Sequence, residues 1–469
     1  MSSQRSIYLP NEMLYYIFWH LHPSQDDSRC ARQTLLSASL TSTQWHSVAS
    51  PVLYHTYVED NIHNFRLFLR TIVTNAYLAS HVRTLRFPSW ACYEAAGVPR
   101  PRLSPEQKED YTTALETYMN RHAYKNENGA ALFGFKDVRW GNDDSELLLL
   151  LLHCTKLDCL DLWHRGCIAE HPSWPHVTTA LDLIQHQWFS QMTTAFTSIT
   201  ALSISCPARV LPSLFSLPSL ISLQIFDLQG EEDIQWTRGR SSRVRTLAFF
   251  NFKISLEHID EAVLMCQSLE SFHLSFHPSI NTSDHHDLNH VIRALQPRSS
   301  SLISLSLTRG AVDSYWAPYP ERDVAADTNM EGLSSFMNLR DLTLHFLAVE
   351  SSDMNSGITQ LLPPNLEYLR LDTFAVLTYP HVQTLLALAE ACISTYRKLC
   401  VVEVLHTIFG SGVEPIFPND QHDDHELEQF CLAQLKQVVD SFKACDVNFT
   451  QTPVPRKYMF PISACKSPD

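Results

Sequence analysis

Glycine is scarce in this sequence, with 12 residues among 469. Loops that cradle nucleotide phosphates rely on glycine, and no Gly-x-x-x-x-Gly-Lys segment is present. The Gly-x-Ser-x-Gly turn that presents a nucleophilic serine is missing as well. We therefore expect neither an enzyme nor a cofactor, although side chains that are distant in sequence could still assemble a site in space.

Basic residues are also few: 35 Lys and Arg stand against 50 Asp and Glu, which gives a net charge of −15. This balance disfavours nucleic acids and anionic membranes as partners. Hydrophobic runs are short, and the six leucines Leu147–Leu152 fall far below transmembrane length. Pro10 and Glu12 interrupt any signal peptide, and the 12 cysteines include no Cys-x-x-Cys pair. We expect an intracellular protein, cytoplasmic or nuclear, with no membrane partner.

What the chain does contain is a repeated six-residue pattern, apolar at its first, fourth and sixth positions. It occurs ten times: Val82–Phe87, Leu157–Leu162, Ile199–Ile204, Leu220–Ile225, Val244–Phe249, Leu269–Leu274, Leu302–Leu307, Leu339–Leu344, Leu366–Leu371 and Leu399–Val404. From Ile199 onward the copies start 21 to 37 residues apart. This is the L-x-x-L-x-L core of a leucine-rich repeat.

Alternation within each copy is typical of a β-strand that buries every second side chain. A single unit of this kind buries its apolar face only by stacking on its neighbours. The pattern predicts an α/β fold, a curved leucine-rich-repeat solenoid with a parallel sheet, in which Leu247, Leu305, Leu342 and Leu369 are buried. The alternative is a set of ordinary α/β strands.

The N-terminal segment Ile7–Tyr57 has a different, helical pattern. Pro10 suits the first turn of a helix that carries Met13, Ile17 and Leu21 as an apolar stripe. Two more helices are predicted, over 29–39 and from the capping-box sequence at Thr41. Because three short helices make a small core, part of this apolar surface is expected to face another molecule or the rest of the chain.

The segment resembles an F-box in Leu9-Pro10-x-Glu12, Ile17, Leu21, Leu36, Leu40, Trp45 and Val48. Together with the repeats, the chain resembles fungal F-box proteins with irregular leucine-rich repeats. The link 22–33 is long and polar and departs from the motif. The resemblance implies docking on the Skp adaptor of a cullin ligase, with these adaptor-binding residues: Leu9, Pro10, Ile17, Leu21, Leu40 and Trp45. The alternative is a plain helical cap on a larger domain.

Five segments follow from these patterns. They are a three-helix F-box-like module (1–57), a linker helix with the first repeat strand (58–90), a polar insertion (91–144), the repeat solenoid (145–450) and a C-terminal tail (451–469). On this reading the chain is a substrate receptor of an SCF-type ubiquitin ligase. The alternative function is a leucine-rich-repeat scaffold without a ligase role.

Target binding is predicted on the concave face of the sheet, where the residues between the buried positions point. Aromatic side chains at neighbouring outward positions are plausible anchors for a protein partner. The predicted target-binding residues are Trp163, Phe226, Phe250, His273 and Arg370. The alternative is that the insertion 91–144 covers the aromatic residues.

Two histidine-rich clusters have some of the features of a metal site. His286 and His290 have the spacing of two ligands on one helix face, and His422–Glu426 combines histidine with acids. Neither matches a complete metal-site motif, so we expect both to be solvated surface and no metal to bind.

Overall fold

The computed structural model describes fifteen stretches of the chain: 9–21, 28–59, 62–87, 102–121, 143–162, 177, 194–228, 234–236, 241–252, 255–276, 288–309, 332–345, 361–372, 379–408 and 424–455. The chain divides into two compact units. The first consists of Met1–Cys206 and Ser216–Leu220, and the second of Pro207–Phe215 and Ile221–Asp469.

The first unit combines a helical N-terminus with four parallel strands. Its helices are α1 (Asn11–His20), α2 (Ser28–Ser39), α3 (Thr43–His55), α4 (Ile62–Thr74), α5 (Ala76–Ala79), α6 (Pro105–Arg121), α7 (Asp143–His153) and α8 (Thr194–Thr197). Its strands are β1 (Thr56–Val58), β2 (Thr84–Arg86), β3 (Cys159–Leu162) and β4 (Ala201–Ser205), and each pairs in parallel with the next.

The second unit contains eight parallel strands, which also pair in chain order. They are β5 (Ser222–Phe226), β6 (Thr246–Phe252), β7 (Ser271–Phe276), β8 (Ser304–Arg309), β9 (Asp341–His345), β10 (Tyr368–Asp372), β11 (Val401–Ile408) and β12 (Asn448–Pro455). Its α-helices are α9 (Leu211–Phe215), α10 (Glu257–Met265), α11 (Leu288–Leu295), α12 (Tyr379–Ser394) and α13 (Asp424–Ala444). Short 3-10 turns lie at Ala208–Val210, Gln296–Arg298 and Leu333–Ser335.

All ten copies of the six-residue pattern form strands, β2 to β11, as predicted. Within each unit their fourth residues align from strand to strand, and within the second unit their sixth residues do as well, for example Leu305 with Leu342 and Leu307 with Leu344. The four leucines predicted to be buried, Leu247, Leu305, Leu342 and Leu369, are all buried. β1 and β12 lack the pattern, and β12 crosses the boundary predicted at residue 450.

The turns before the strands are equivalent from one copy to the next. The second residue of a copy accepts two backbone N–H groups from the next copy through its carbonyl oxygen. Thus Glu270 accepts from Ile303 and Ser304, at 2.7 and 3.0 Å. Side chains just before the pattern reinforce this link, since Asn338 and Asn365 donate to backbone carbonyls of the preceding copies at 2.6 and 2.7 Å. These contacts satisfy the backbone of successive turns in one repeated way.

A buried ion pair ties the helices of the first unit together. Arg66 on α4 donates from Nε and Nη2 to the two carboxylate oxygens of Glu146 on α7, at 3.1 and 3.2 Å. The hydroxyl of Tyr111 on α6 donates to the Arg66 carbonyl at 3.4 Å. Buried charges need such partners, because an unpaired charge in the protein interior is strongly unfavourable.

Among the residues described here, no helix is long and apolar enough to cross a membrane.

We predict that Leu342→Ala lowers the free energy of unfolding by about 2–5 kcal/mol, since truncation leaves a cavity between neighbouring strands. Thr343→Ala, one residue along on the opposite face, should change it by about 0.5 kcal/mol or less. Urea denaturation of both variants measures the difference. Equal losses would show that the two faces of the sheet are not distinct.

Glu146→Gln should cost about 3–5 kcal/mol, because it leaves the buried Arg66 guanidinium without its carboxylate. Glu270→Gln is the matched control: Glu270 pairs with Arg245 at 3.2 Å in an exposed position. Loss of such a pair costs about 1 kcal/mol or less. A thermal or urea melt that ranks the two variants in reverse order would contradict this account.

Candidate functional site

The F-box-like module buries one face of its first helix. Leu14 and Phe18 of α1 lie in a core with residues of α2 and α3: Leu35, Ala38, Val48, Ala49 and Val52. The two α1 residues are four positions apart and so share one helix face. The remaining apolar side chains of α1 lie outside this core, although the sequence makes the helix apolar over most of its circumference.

The six predicted adaptor-binding residues fall into two groups. Pro10 is exposed, and Ile17 and Leu40 have 47 % and 85 % of their surface accessible. Leu9, Leu21 and Trp45 are only partly exposed and pack against the module core. Trp45 meets Phe18 edge to face, with ring centroids 5.4 Å apart. The second group therefore supports the module, while the first presents apolar surface to solvent.

Further exposed apolar residues extend this surface, and the adaptor-binding prediction did not include them. Met13 and Tyr16 are exposed on α1 within four positions of Ile17, and Leu36 is exposed on α2 four positions before Leu40. We call the five residues Met13, Tyr16, Ile17, Leu36 and Leu40 the apolar patch. The sequence could have indicated these exposed residues through the spacing of Leu14 and Phe18. If these two form the buried stripe of the helix, Met13 and Ile17 must point away from the core.

Two polar contacts fix the start of α1 against α3. The Gln44 side-chain amide donates to the Leu9 carbonyl at 2.8 Å and to Asn11 Oδ1 at 2.9 Å. Ser42 caps α3 by accepting the Trp45 backbone N–H at 3.2 Å. Side-chain oxygens at this position satisfy helix N–H groups that have no partner within the helix. The orientation of α1 is thus set by a neutral amide rather than by a charge.

The second unit has an open face, formed by the side chains that alternate with the buried strand residues. Phe226, Phe250 and His273 meet there. The two phenylalanine rings stack at 4.5 Å between centroids with planes 8° apart, and the His273 ring lies 4.5 Å from that of Phe250. Phe226 is buried, whereas Phe250 and His273 are partly exposed. Trp163, predicted to join them, lies outside the described residues.

Local backbone geometry places the two phenylalanines side by side. Each is followed by a residue with positive φ, Asp227 at 51° and Asn251 at 59°. Asp and Asn adopt this left-handed conformation more readily than other non-glycine residues. The Asn251 side-chain amide donates to Asp227 Oδ1 at 2.6 Å, which couples the two turns. β5 thus ends at Phe226, whereas β6 continues to Phe252 with a register shift against β7 between Phe249 and Phe252.

His273 lies in an apolar position for an imidazole. Burial, and then the positive charge of Arg370, lower its pKa from 6.5 to about 4. Its Nε2 has no hydrogen-bond partner in the part of the chain that the structure describes. The ring is therefore neutral near pH 7 and contributes an apolar surface beside Phe250.

Arg370, the last predicted target-binding residue, lies in a charged group on the same face. Its Nε donates to Asp372 Oδ1 at 2.8 Å. Glu403 on the next strand accepts hydrogen bonds from the Tyr368 hydroxyl and from Thr452 Oγ1. Burial raises the pKa of Asp372, the Arg370 hydrogen bond opposes that rise, and Glu403 adds to it. Two carboxylates thus share one guanidinium.

The predicted histidine clusters are only partly covered by the described residues. His290 Nε2 lies 3.1 Å from both carboxylate oxygens of Asp260, which links α11 to α10. His286 and the side chains of His422–Glu426 lie outside the described residues. Among the side chains that are described, no group of three His, Cys, Asp or Glu is arranged to hold a metal.

The lowered pKa of His273 makes stability depend on pH. Between about pH 6.5 and pH 4 the unfolded chain binds a proton that the folded chain excludes, so stability falls as pH falls through this window. His273→Gln should remove up to about 3 kcal/mol of this fall. Urea denaturation across the window measures it, with Ser306→Ala as the control that keeps the wild-type slope. Parallel curves for His273→Gln and wild type would contradict the assignment.

Comparison with protein families gives one match: residues 7–60 fit the family described as F-box-like. No curated protein matches the chain. The matched range contains α1, α2, α3 and β1, so it covers the module and its apolar patch. An F-box-like domain is generally a docking module for the Skp adaptor. The match therefore supports an F-box protein and, with it, a Skp adaptor as partner.

Proposed function

We propose that this protein is a substrate receptor of an SCF-type ubiquitin ligase. The module docks on the Skp adaptor and through it on the cullin, and the strand-rich remainder of the chain binds a target protein. The observation that carries the proposal is the exposure of the apolar patch within a segment that matches the F-box-like family.

The apolar patch favours a protein partner of apolar character. Five large side chains on two neighbouring helices remain exposed, although Leu14 and Phe18 beside them are fully enclosed. Large apolar side chains that stay exposed on a small module are typical of interaction sites in soluble proteins. Leu9, Leu21, Trp45 and Gln44 act as positioning residues, since they hold α1 against the core rather than project from it.

We assign the strands and their turns to irregular leucine-rich repeats, resembling those of fungal F-box proteins. The regular parallel register and the repeated turn contacts support this assignment. On such a platform the target lies along the open face, with Phe250, His273 and Arg370 among its contacts. On this proposal the protein itself performs no covalent chemistry on the target. It raises the local concentration of the target near the ubiquitin-conjugating enzyme.

The proposal predicts that Ile17→Asp with Leu40→Asp abolishes binding of the purified Skp adaptor. Each buried aliphatic side chain contributes about 1.5–3 kcal/mol, so the Kd should rise by well over tenfold. Isothermal titration calorimetry measures the Kd, and a thermal melt checks the fold. Both residues are exposed, so the module core should be undisturbed.

The matched control is Ile393→Asp, an exposed apolar residue on α12 that is 68 % accessible. It should bind the adaptor as wild type does. If the wild-type chain fails to bind the adaptor, the alternative of a scaffold without a ligase role replaces this proposal. If the double variant binds normally, the patch is not the docking surface.

A further inference from the structure

The open face of the second unit presents different chemistry at its two ends. At the β6–β7 end lie the partly exposed rings of Phe250 and His273, and the buried ring of Phe226 stacks on Phe250 from the neighbouring strand β5. At the β10–β11 end it offers Arg370, Asp372 and Glu403. These ends lie on one continuous run of paired strands, from β6 through β11.

Short side chains occupy the positions between the two ends. Ser275, Ser306, Thr308 and Thr343 follow one another on β7, β8 and β9, and none of them projects far from the sheet. This stretch therefore leaves room for an extended backbone above the sheet. Ser275 is buried, whereas Ser306, Thr308 and Thr343 are partly exposed and offer hydroxyl groups to it.

The charged end favours a cation. Arg370 has a carboxylate partner in Asp372, and Glu403 lies on the neighbouring strand. Two carboxylates thus stand beside one guanidinium on the described part of β10 and β11. An incoming lysine or arginine would gain attraction there, whereas an acidic segment would be repelled.

The distance between the ends sets a length. Neighbouring strands lie about 4.8 Å apart, so the four to five steps from β6 to β10 and β11 span about 19–24 Å. An extended peptide rises about 3.3 Å per residue, so about six or seven residues cover this distance.

We infer that the open face takes an extended segment of the target in which an apolar or aromatic side chain lies on Phe250 and His273. A lysine or arginine about six or seven residues away pairs with Glu403 and Asp372. The inference rests on the proposed function, because the segment is taken to belong to the target protein. It adds the chemistry and the spacing by which the target would be recognised.

The test uses the full-length chain and synthetic fluorescent peptides in which Trp and Lys are separated by a Gly-Ser spacer. Fluorescence anisotropy should show binding when the two residues are about six or seven positions apart. Replacing Lys by Glu should weaken binding by about tenfold or more, because a favourable charge contact becomes a repulsive one. Halving the spacer should have a similar effect, because Lys then cannot reach the carboxylates while Trp lies on the aromatic rings.

Two variants locate the contact on the protein. Glu403→Gln keeps the size of the side chain and should weaken binding of the Lys peptide about fivefold to tenfold. It should leave unchanged a peptide in which Lys is replaced by Ala. Phe250→Ala should weaken both peptides. Glu270→Gln, which removes an exposed carboxylate from a turn outside the open face, is the matched control and should have no effect.

Adaptor binding measured on the same samples separates the two proposals. If the adaptor binds and no peptide does, or if binding is indifferent to Lys→Glu, the inference is overturned and the proposed function stands. If the peptides bind as expected and the adaptor does not, the face is a peptide site on a protein without the ligase role. Weaker binding of the Lys peptide alone by Glu403→Gln, with an unchanged melting temperature, supports the inference.

Discussion

Each strand of the second unit places apolar side chains on one face of its sheet. One strand alone leaves these side chains exposed, so they are buried only when strands lie on both sides of it. Leu305 and Leu307 are buried because β7 and β9 lie on either side of β8 with their own apolar residues in register. Because the side chains alternate, this burial leaves the positions between them on the open face. The positions of Phe250, His273 and Arg370 all follow from that one constraint.

In the N-terminal module of the first unit, by contrast, most of the apolar side chains of α1 remain exposed. Its core is small, and only Leu14 and Phe18 of α1 enter it. The apolar patch stays exposed because α1 carries more apolar surface than α2 and α3 cover. An apolar surface of this kind favours aggregation when it is left exposed to water. A protein partner that covers it removes this surface from water. In the proposed function these same residues form the surface that docks on the adaptor.

Much of the fold was predictable, because a period of two residues identifies strands and the repeated pattern marks ten of them. The three N-terminal helices and the buried leucines followed from the same kind of periodicity. The buried face of α1 was not predictable, since that helix is apolar nearly all round. The contact of Arg66 with Glu146 joins residues 80 positions apart and leaves no periodic signal. The positive φ values of Asp227 and Asn251 were likewise missed; they follow Phe226 and Phe250, which are partners in the β5–β6 register.

The central claim is that the apolar patch on α1 and α2 is the surface that the adaptor covers. Hydrogen–deuterium exchange on the full-length chain, with and without the purified Skp adaptor, tests it most directly. The account predicts that binding slows exchange in peptides that span 11–21 and 30–41, while peptides from α12 of the second unit exchange as before. Protection that appears only in the second unit, or no protection in the presence of excess adaptor, would contradict the account.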